Sequence, residues 1–249
     1  MPLFGIIAKL YLKGSFFPMT LYQPESGYAY NSDSLFLYDF IDSFNPRGRV
    51  LDVGAGCGIV GLLVARDNKK VTLEAVEKYA PFVAYAKKNA QENEIEYKLH
   101  EENFLEFEVQ EKYDYIISNP PFYPEGVRQS EDEMLRSARY NTNLPLDAFF
   151  KQVSRLLKPH SHFIFCYDPS VFAEICVALK KVKMRVVDVQ FVHPGEKKNA
   201  SLVLIHARNG SKSMMQTHPP VIVMQGLETS AEAKKVYEKS NTQSIKCQL

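Results

Sequence analysis

Between Arg49 and Ala207 the chain alternates short runs rich in β-branched and aromatic residues with stretches of helical apolar period. The β-rich runs are Arg49–Val53, Val71–Val76, Glu96–Leu99, Tyr113–Ser118, His162–Tyr167, Met184–Val192 and Leu202–Ala207. Between them lie Ile59–Arg66, Ala80–Glu92, Ala148–Leu157 and Val171–Lys180, which read as helices. This alternation implies a parallel sheet with helices on both faces. Only a turn around His193-Pro194-Gly195 separates the last two strands, so they must pair antiparallel. The expectation is an α/β fold whose seven-stranded, mostly parallel sheet closes on a terminal antiparallel hairpin. Residues 1–48 form an N-terminal element, 49–208 the core and 209–249 a C-terminal extension. In that extension Asn209–Pro220 reads as a linker, Val221–Val223 as a possible strand and Ala231–Lys239 as a helix. Ser240 to Leu249 is expected to be loose.

A chain of 249 residues can bury most of its apolar surface in one core. Its net charge of +1 points to no partner by bulk attraction, so nucleic-acid binding requires a local basic face. Cys57, Cys166, Cys176 and Cys247 show neither metal-ligand spacing nor a dense disulfide pattern, and a reducing compartment is expected. No metal site is expected from the spacing of His, Cys, Asp and Glu. Met1 to Leu12 is apolar but lacks a basic leader and a small-residue cleavage site. No apolar run approaches the ~20 residues of a membrane span. These features lead to an expected cytoplasmic location, off the membrane.

Leu51-Asp52-Val53-Gly54-Ala55-Gly56-Cys57-Gly58 falls at a strand-to-helix turn. Glycines there let the chain turn sharply and let a ligand approach the backbone. Gly54, Gly56 and Gly58 are therefore candidate cofactor contacts. Asp52 discriminates between ligands. A carboxylate at the loop repels a pyrophosphate, which argues against an NAD-dependent oxidoreductase, but suits a cationic ligand such as S-adenosyl-L-methionine. Glu77, closing the second strand, is placed to accept hydrogen bonds from both ribose hydroxyls. The turn after the third strand offers Asn103 as an acceptor for the adenine amino group, with Phe104 lining the ring; an ordinary turn residue is the alternative for Asn103.

The fourth strand stops at Asn119-Pro120-Pro121-Phe122-Tyr123. Ligands in open α/β sheets bind beyond the carboxyl ends of the strands. The prolines fix the backbone and leave carbonyls without competing donors. The Asn119 side-chain oxygen and the Pro120 carbonyl can then accept both protons of one exocyclic amine. Such an amine is a poor nucleophile because its lone pair is delocalised. Two acceptors align it and stabilise the positive charge that develops on it. Phe122, with Tyr123 beside it, gives a face for stacking a base.

With both motifs placed, the sequence resembles the class I, Rossmann-like amino-methyltransferases that carry a (D/N/S)-P-P-(Y/F/W) motif. More narrowly, it is similar to the bacterial tRNA adenine-N6 methyltransferases that modify the adenine beside the anticodon of a valine-accepting tRNA. The resemblance spans roughly Gln23 to Ala207. It is best at Gln23–Ser34, Leu51–Gly58, Asn119–Tyr123 and the hairpin of His193-Pro194 with Ala200–Ala207. It implies S-adenosyl-L-methionine as cofactor, held by Gly54, Gly56, Glu77, Asn103 and Asn119. It also implies that Tyr28 and the Asn31–Asp33 turn, with Ser32 and Asp33, cover the methionine end. Asn103 stands where the family usually has Asp, and Cys57 where Ser or Thr is common. Cys57 reads as a small packed residue, since this chemistry needs no nucleophilic side chain.

Arg128, Arg136 and Arg139 follow the Asn-Pro-Pro-Phe turn in a long segment. They are candidate phosphate contacts, with pairing to Glu131, Asp132 and Glu133 the alternative. Lys180, Lys181, Lys183 and Arg185, and the Lys197-Lys198 pair, are further basic runs that can face RNA or simply solvent. A tRNA substrate is expected, acted on by a monomer or weak dimer. A glutamine-N5 methyltransferase would use the same tetrapeptide, but usually carries a helical domain that the roughly 48 residues before the first strand are too few to form. A DNA adenine methyltransferase would need a further recognition domain. A non-catalytic cofactor- or RNA-binding module would not need an intact Asn119-Pro120-Pro121-Phe122.

Overall fold

The structure is a computed structural model that describes residues 18–25, 30–120 and 144–249. Its elements in chain order are β1 (Met19–Gln23), α1 (Ser32–Asp42), β2 (Gly48–Val53), α2 (Ile59–Asp67), β3 (Val71–Glu77) and α3 (Ala80–Glu92). They continue with β4 (Lys98–Glu101), β5 (Tyr113–Ser118), α4 (Leu146–Leu156), β6 (Leu157–Tyr167), α5 (Phe172–Lys181), β7 (Met184–Gly195) and β8 (Leu202–Asn209). The C-terminal extension adds β9 (Gln216–Thr217), β10 (Val221–Gln225), β11 (Glu228–Thr229), α6 (Ala231–Ser240) and β12 (Thr242–Lys246).

The central sheet runs β11-β10-β7-β8-β6-β5-β2-β3-β4, with β9 against β7. The seven expected strands are all in it. From β4 through β3, β2 and β5 to β6 the pairing is parallel. β8 is antiparallel to both β6 and β7, so β7 points the same way as β6. The short β7–β8 connection dictates that hairpin. The sheet is wider than expected, because β9, β10 and β11 of the extension continue it to ten strands.

Both faces are buried, which explains why the strands read as continuous apolar runs. Along β6, Ile164 and Cys166 join one core cluster with Leu35, Phe36 and Leu63 of α1 and α2. Phe163 and Phe165 point the other way, into a cluster with Phe149, Phe150, Ile175 and Leu179 of α4 and α5. The alternation is the ordinary period of two for a strand, with an apolar layer on each side.

The expectation of a loose end beyond Ser240 is corrected. Thr242–Lys246 pairs parallel with Met19–Gln23 as a separate two-stranded sheet. Asn89 of α3 and Asn93, the residue that caps its end, close the other edge: Asn89 Oδ1 accepts from Tyr22 N at 2.7 Å and Asn93 Oδ1 from Thr20 N at 3.0 Å. The segment Thr-Gln-Ser-Ile-Lys has no apolar alternation of its own, and its partner lies at the other end of the chain. The third strand of the core is also shifted, to Lys98–Glu101, beside β3 at the sheet's edge.

Candidate active site

The chain leaves β2 toward β3 and β4 on one side and later returns as β5 on the other. A crevice opens where this order reverses, beyond the carboxyl ends of the strands. Register places the pieces there together: Val53 lies opposite Val76 and Ser118, and Glu77 opposite Glu101. The resulting pocket is lined by Gly54 to Cys57 of the glycine loop, Asp52, Glu77, Asn103, Phe104 and Asn119, with Tyr30, Ser34 and Leu144 at its sides, while Gly58 is outside the lining and caps α2.

The loop is shaped for a ligand. Gly56 has φ +55°, and a Cβ built there meets nothing within 4 Å, so its backbone faces open space. Its N–H donates to Glu77 Oε2 at 3.0 Å, and Tyr79 N donates to Oε1 at 2.9 Å. These amides hold the carboxylate at the rim of the pocket. Burial raises its pKa, and the Tyr79, Gly56 and Lys78 amides, with the Lys78 charge, work against that rise.

Asp52 lies beneath the loop rather than at its mouth, buried, with Oδ2 accepting from Gly61 N at 2.9 Å. A Cβ on Gly61 would come within 2.8 Å of that oxygen, so glycine is needed for the contact. Burial pushes the Asp52 carboxyl up to about 7, with Glu77 adding to the rise and the Gly61 amide opposing it. Cys57 is buried and its thiol is pushed up to about 12, chiefly by burial, which fits a packed residue and not a nucleophile.

In the turn after β4, Asn103 Oδ1 accepts from Leu105 N at 3.1 Å, closing an Asx turn. Phe104 is buried against Phe149, with ring centroids 5.5 Å apart. Gln152 Nε2 fixes the backbone of this turn by donating to the Phe104 and Phe107 carbonyls at 3.0 and 2.7 Å. Gln152 has no sequence motif that announces it.

The first turn of α1 lies against Asn119. Ser32 and Asp33 stand in the first turn of α1, outside the pocket lining. Asn31 caps that helix and turns Asp33 toward itself: Asn31 Nδ2 donates to Asp33 Oδ2 at 2.7 Å and Asp33 N to Asn31 Oδ1 at 3.1 Å. The residue that reaches the pocket is Ser34, whose Oγ accepts from Asn119 Nδ2 at 3.0 Å. Cys166 Sγ donates to Asn119 Oδ1, also at 3.0 Å. Pro120 follows, buried. Tyr28, Pro121, Phe122, Tyr123, Arg128, Arg136 and Arg139 lie outside the described residues.

The strand directions also sort the basic runs. Lys180–Arg185 precedes and opens β7, at the end of the sheet opposite the pocket, and Lys181 is paired with Asp147 at 3.0 Å. Lys197 and Lys198 follow the end of β7, on the pocket's side.

The Rossmann-like sheet, with this crevice and a glycine loop braced by Glu77, belongs to an S-adenosyl-L-methionine-dependent methyltransferase. Residues 31–142 match the methyltransferase small domain. A tRNA1(Val) (adenine(37)-N6)-methyltransferase of Aliivibrio salmonicida is 30% identical over 162 residues, which cover 63% of this chain and 67% of that protein. The chain belongs to this family of N-methyltransferases. Among solved structures, a predicted O-methyltransferase of Agrobacterium tumefaciens superposes with a TM-score of 0.65 at 16% identity, over 86% of this chain and 99% of the other. A 16S rRNA N2 methyltransferase from T. Thermophilus, in complex with AdoMet and guanosine, gives a TM-score of 0.54 at 22% identity, over 74% of this chain and 44% of the other. Both share the fold.

Proposed function

We propose that the chain methylates the exocyclic N6 of an adenine in the anticodon loop of a valine-accepting tRNA. The observation that carries this is the Asn119 carboxamide at the rim of the cofactor pocket, next to a rigid Pro120. Glu77 would hold the ribose, the Gly54–Gly56 backbone the methionine end, and Asn103 with Phe104 the adenine of the cofactor. The bound cofactor supplies an electrophilic methyl group. The chain's own work is to aim the acceptor: Asn119 Oδ1 and the Pro120 carbonyl take the two amine protons and favour the pyramidal, charge-bearing nitrogen. Two acceptors match an amino group and reject a keto oxygen.

Phe122 stacks the extruded base, and a loop base, already partly unstacked, costs less to extrude than one in a duplex. Lys197 and Lys198, which follow the end of β7, stand on the pocket's side and would meet flanking phosphates. The Aliivibrio salmonicida relative carries this activity in its name. Such a substrate places the enzyme in the cytoplasm, and among the described residues no helix is long and apolar enough to cross a membrane.

The test is methylation of total tRNA from a strain lacking the enzyme, with N6-methyladenosine located by mass spectrometry. Methyl incorporation at one adenine of the anticodon loop is expected, falling steeply as salt rises. Labelling of a glutamine in a peptide, with tRNA ignored, overturns the RNA assignment and leaves the amine-acceptor chemistry standing.

A further inference from the structure

The Asn119 carboxamide has two donors and two lone pairs, and the site works only if its oxygen meets the substrate amine. An unanchored carboxamide rotates about its last side-chain bond and presents its NH2 group as readily as its oxygen. That would favour a keto oxygen over an amine.

Here both ends are tethered. The Nδ2 end donates to Ser34 Oγ at 3.0 Å, and the Oδ1 end accepts from Cys166 Sγ at 3.0 Å. The tethers come from opposite sides. Ser34 is buried in the first turn of α1, whose start Asn31 caps; Cys166 is wholly buried near the end of β6, the strand beside β5. Burial holds the Cys166 thiol far above its ordinary range, so it stays protonated and donates. Reversing the amide would trade the thiol's donation to oxygen for an N–H aimed at sulfur, a weak acceptor. One N–H and one lone pair are committed to the protein, and the second lone pair of Oδ1 remains for the substrate.

We infer that Ser34 and Cys166 are positioning residues that clamp the two ends of the Asn119 carboxamide, and so set the preference of the site for an amino group. The inference rests on the reading of Asn119 as the amine acceptor. Neither residue touches the reacting atoms, and their effect passes through Asn119.

The experiment is steady-state kinetics on tRNA for Ser34→Ala, Ser34→Thr, Cys166→Ala, Cys166→Ser and Asn119→Ala, with Ser34→Ala also combined with Asn119→Ala. Thermal melting and calorimetry with S-adenosylhomocysteine verify each fold and cofactor site. Ser34→Ala and Cys166→Ala are expected to lower kcat by roughly 10- to 100-fold, the scale of a misaligned reacting group, with the cofactor KM nearly unchanged. Ser34→Thr, which keeps the hydroxyl, and Cys166→Ser, which replaces the thiol with another donor, are expected to restore most of kcat. In the Asn119→Ala background Ser34→Ala is expected to add almost nothing. Should Cys166→Ala fail to fold, Cys166→Ser and the Ser34 series carry the test. Wild-type kcat in Ser34→Ala beside a crippled Asn119→Ala overturns the clamp alone. So does an equal loss from Ser34→Ala with and without Asn119. Wild-type kcat in Asn119→Ala overturns the acceptor reading itself.

Discussion

The two halves of the pocket are built by different means. The half proposed to hold the cofactor is mostly backbone held by carboxylates close in sequence: Gly56 and Glu77 are 21 residues apart, and Asp52 and Gly61 only nine. The acceptor half is one side chain held by two others from distant elements, Ser34 at 85 residues and Cys166 at 47. The first arrangement follows from one βαβ unit. The second exists only once α1, β5 and β6 have packed. The difference teaches that binding and transfer can be damaged separately, and each variant below either shows that separation or breaks it.

The largest effect is expected at Asn119. Asn119→Ala removes an acceptor used by the charge that develops on the nitrogen. We expect the barrier to rise by about 3–4 kcal/mol, as when one aligned polar group is removed from a transition state. Calorimetric affinity for S-adenosylhomocysteine should not move. A variant that weakens cofactor binding as much as it slows transfer erases the boundary between the halves.

The reverse outcome is expected for Glu77→Ala. Its carboxylate braces Gly56 N and Tyr79 N, and charge-assisted hydrogen bonds contribute roughly 1.5–3 kcal/mol each. S-adenosylhomocysteine should bind more weakly by about 2–3 kcal/mol, while kcat at saturating cofactor stays near wild type. A kcat loss that saturation does not repair would place Glu77 in the transfer step.

Legibility in the sequence follows the same division. The glycine loop, Glu77 and the strands from Arg49 to Ala207 were readable because each rests on local period or on a turn that demands particular residues. Helix α3 falls on Ala80–Glu92 as its pattern predicts. Ser34, Cys166 and Gln152 carried no such signal. A serine in a first helical turn and a cysteine in an apolar strand are ordinary until the sheet sets them against Asn119. Ser32 and Asp33 stand in the same turn as Ser34, and only the packed fold shows that Ser34 is the one bonded to Asn119. Strand β12 was illegible for a related reason: its backbone pairs with β1 at the other end of the chain, and Thr242–Lys246 has no apolar alternation of its own.

The smallest effect, and the one that sharpens the comparison most, concerns Asp52. This carboxylate belongs to the cofactor half, yet burial pushes it up to about 7, so near neutral pH only part of the empty enzyme carries the charge. A ligand bearing an ammonium group favours the ionised form and therefore releases a proton on binding. The sign follows from linkage. Above pH 7 Asp52 is already ionised and affinity is flat. Below it, each unit of acid costs up to about 1.4 kcal/mol, or roughly tenfold in affinity, because the proton must first be removed. Glu77 is also raised and lies close enough to contribute, so a control is needed. Asp52→Asn keeps an oxygen for Gly61 N but cannot titrate. Calorimetry with S-adenosylhomocysteine between pH 5.5 and 8 should show the acid-side loss in the wild type and a flatter profile in Asp52→Asn, with any slope left over belonging to Glu77. Transfer at saturating cofactor should not follow this profile, since Asn119 has no proton to lose. A flat wild-type profile would mean that Asp52 braces the loop through Gly61 and never meets the cation.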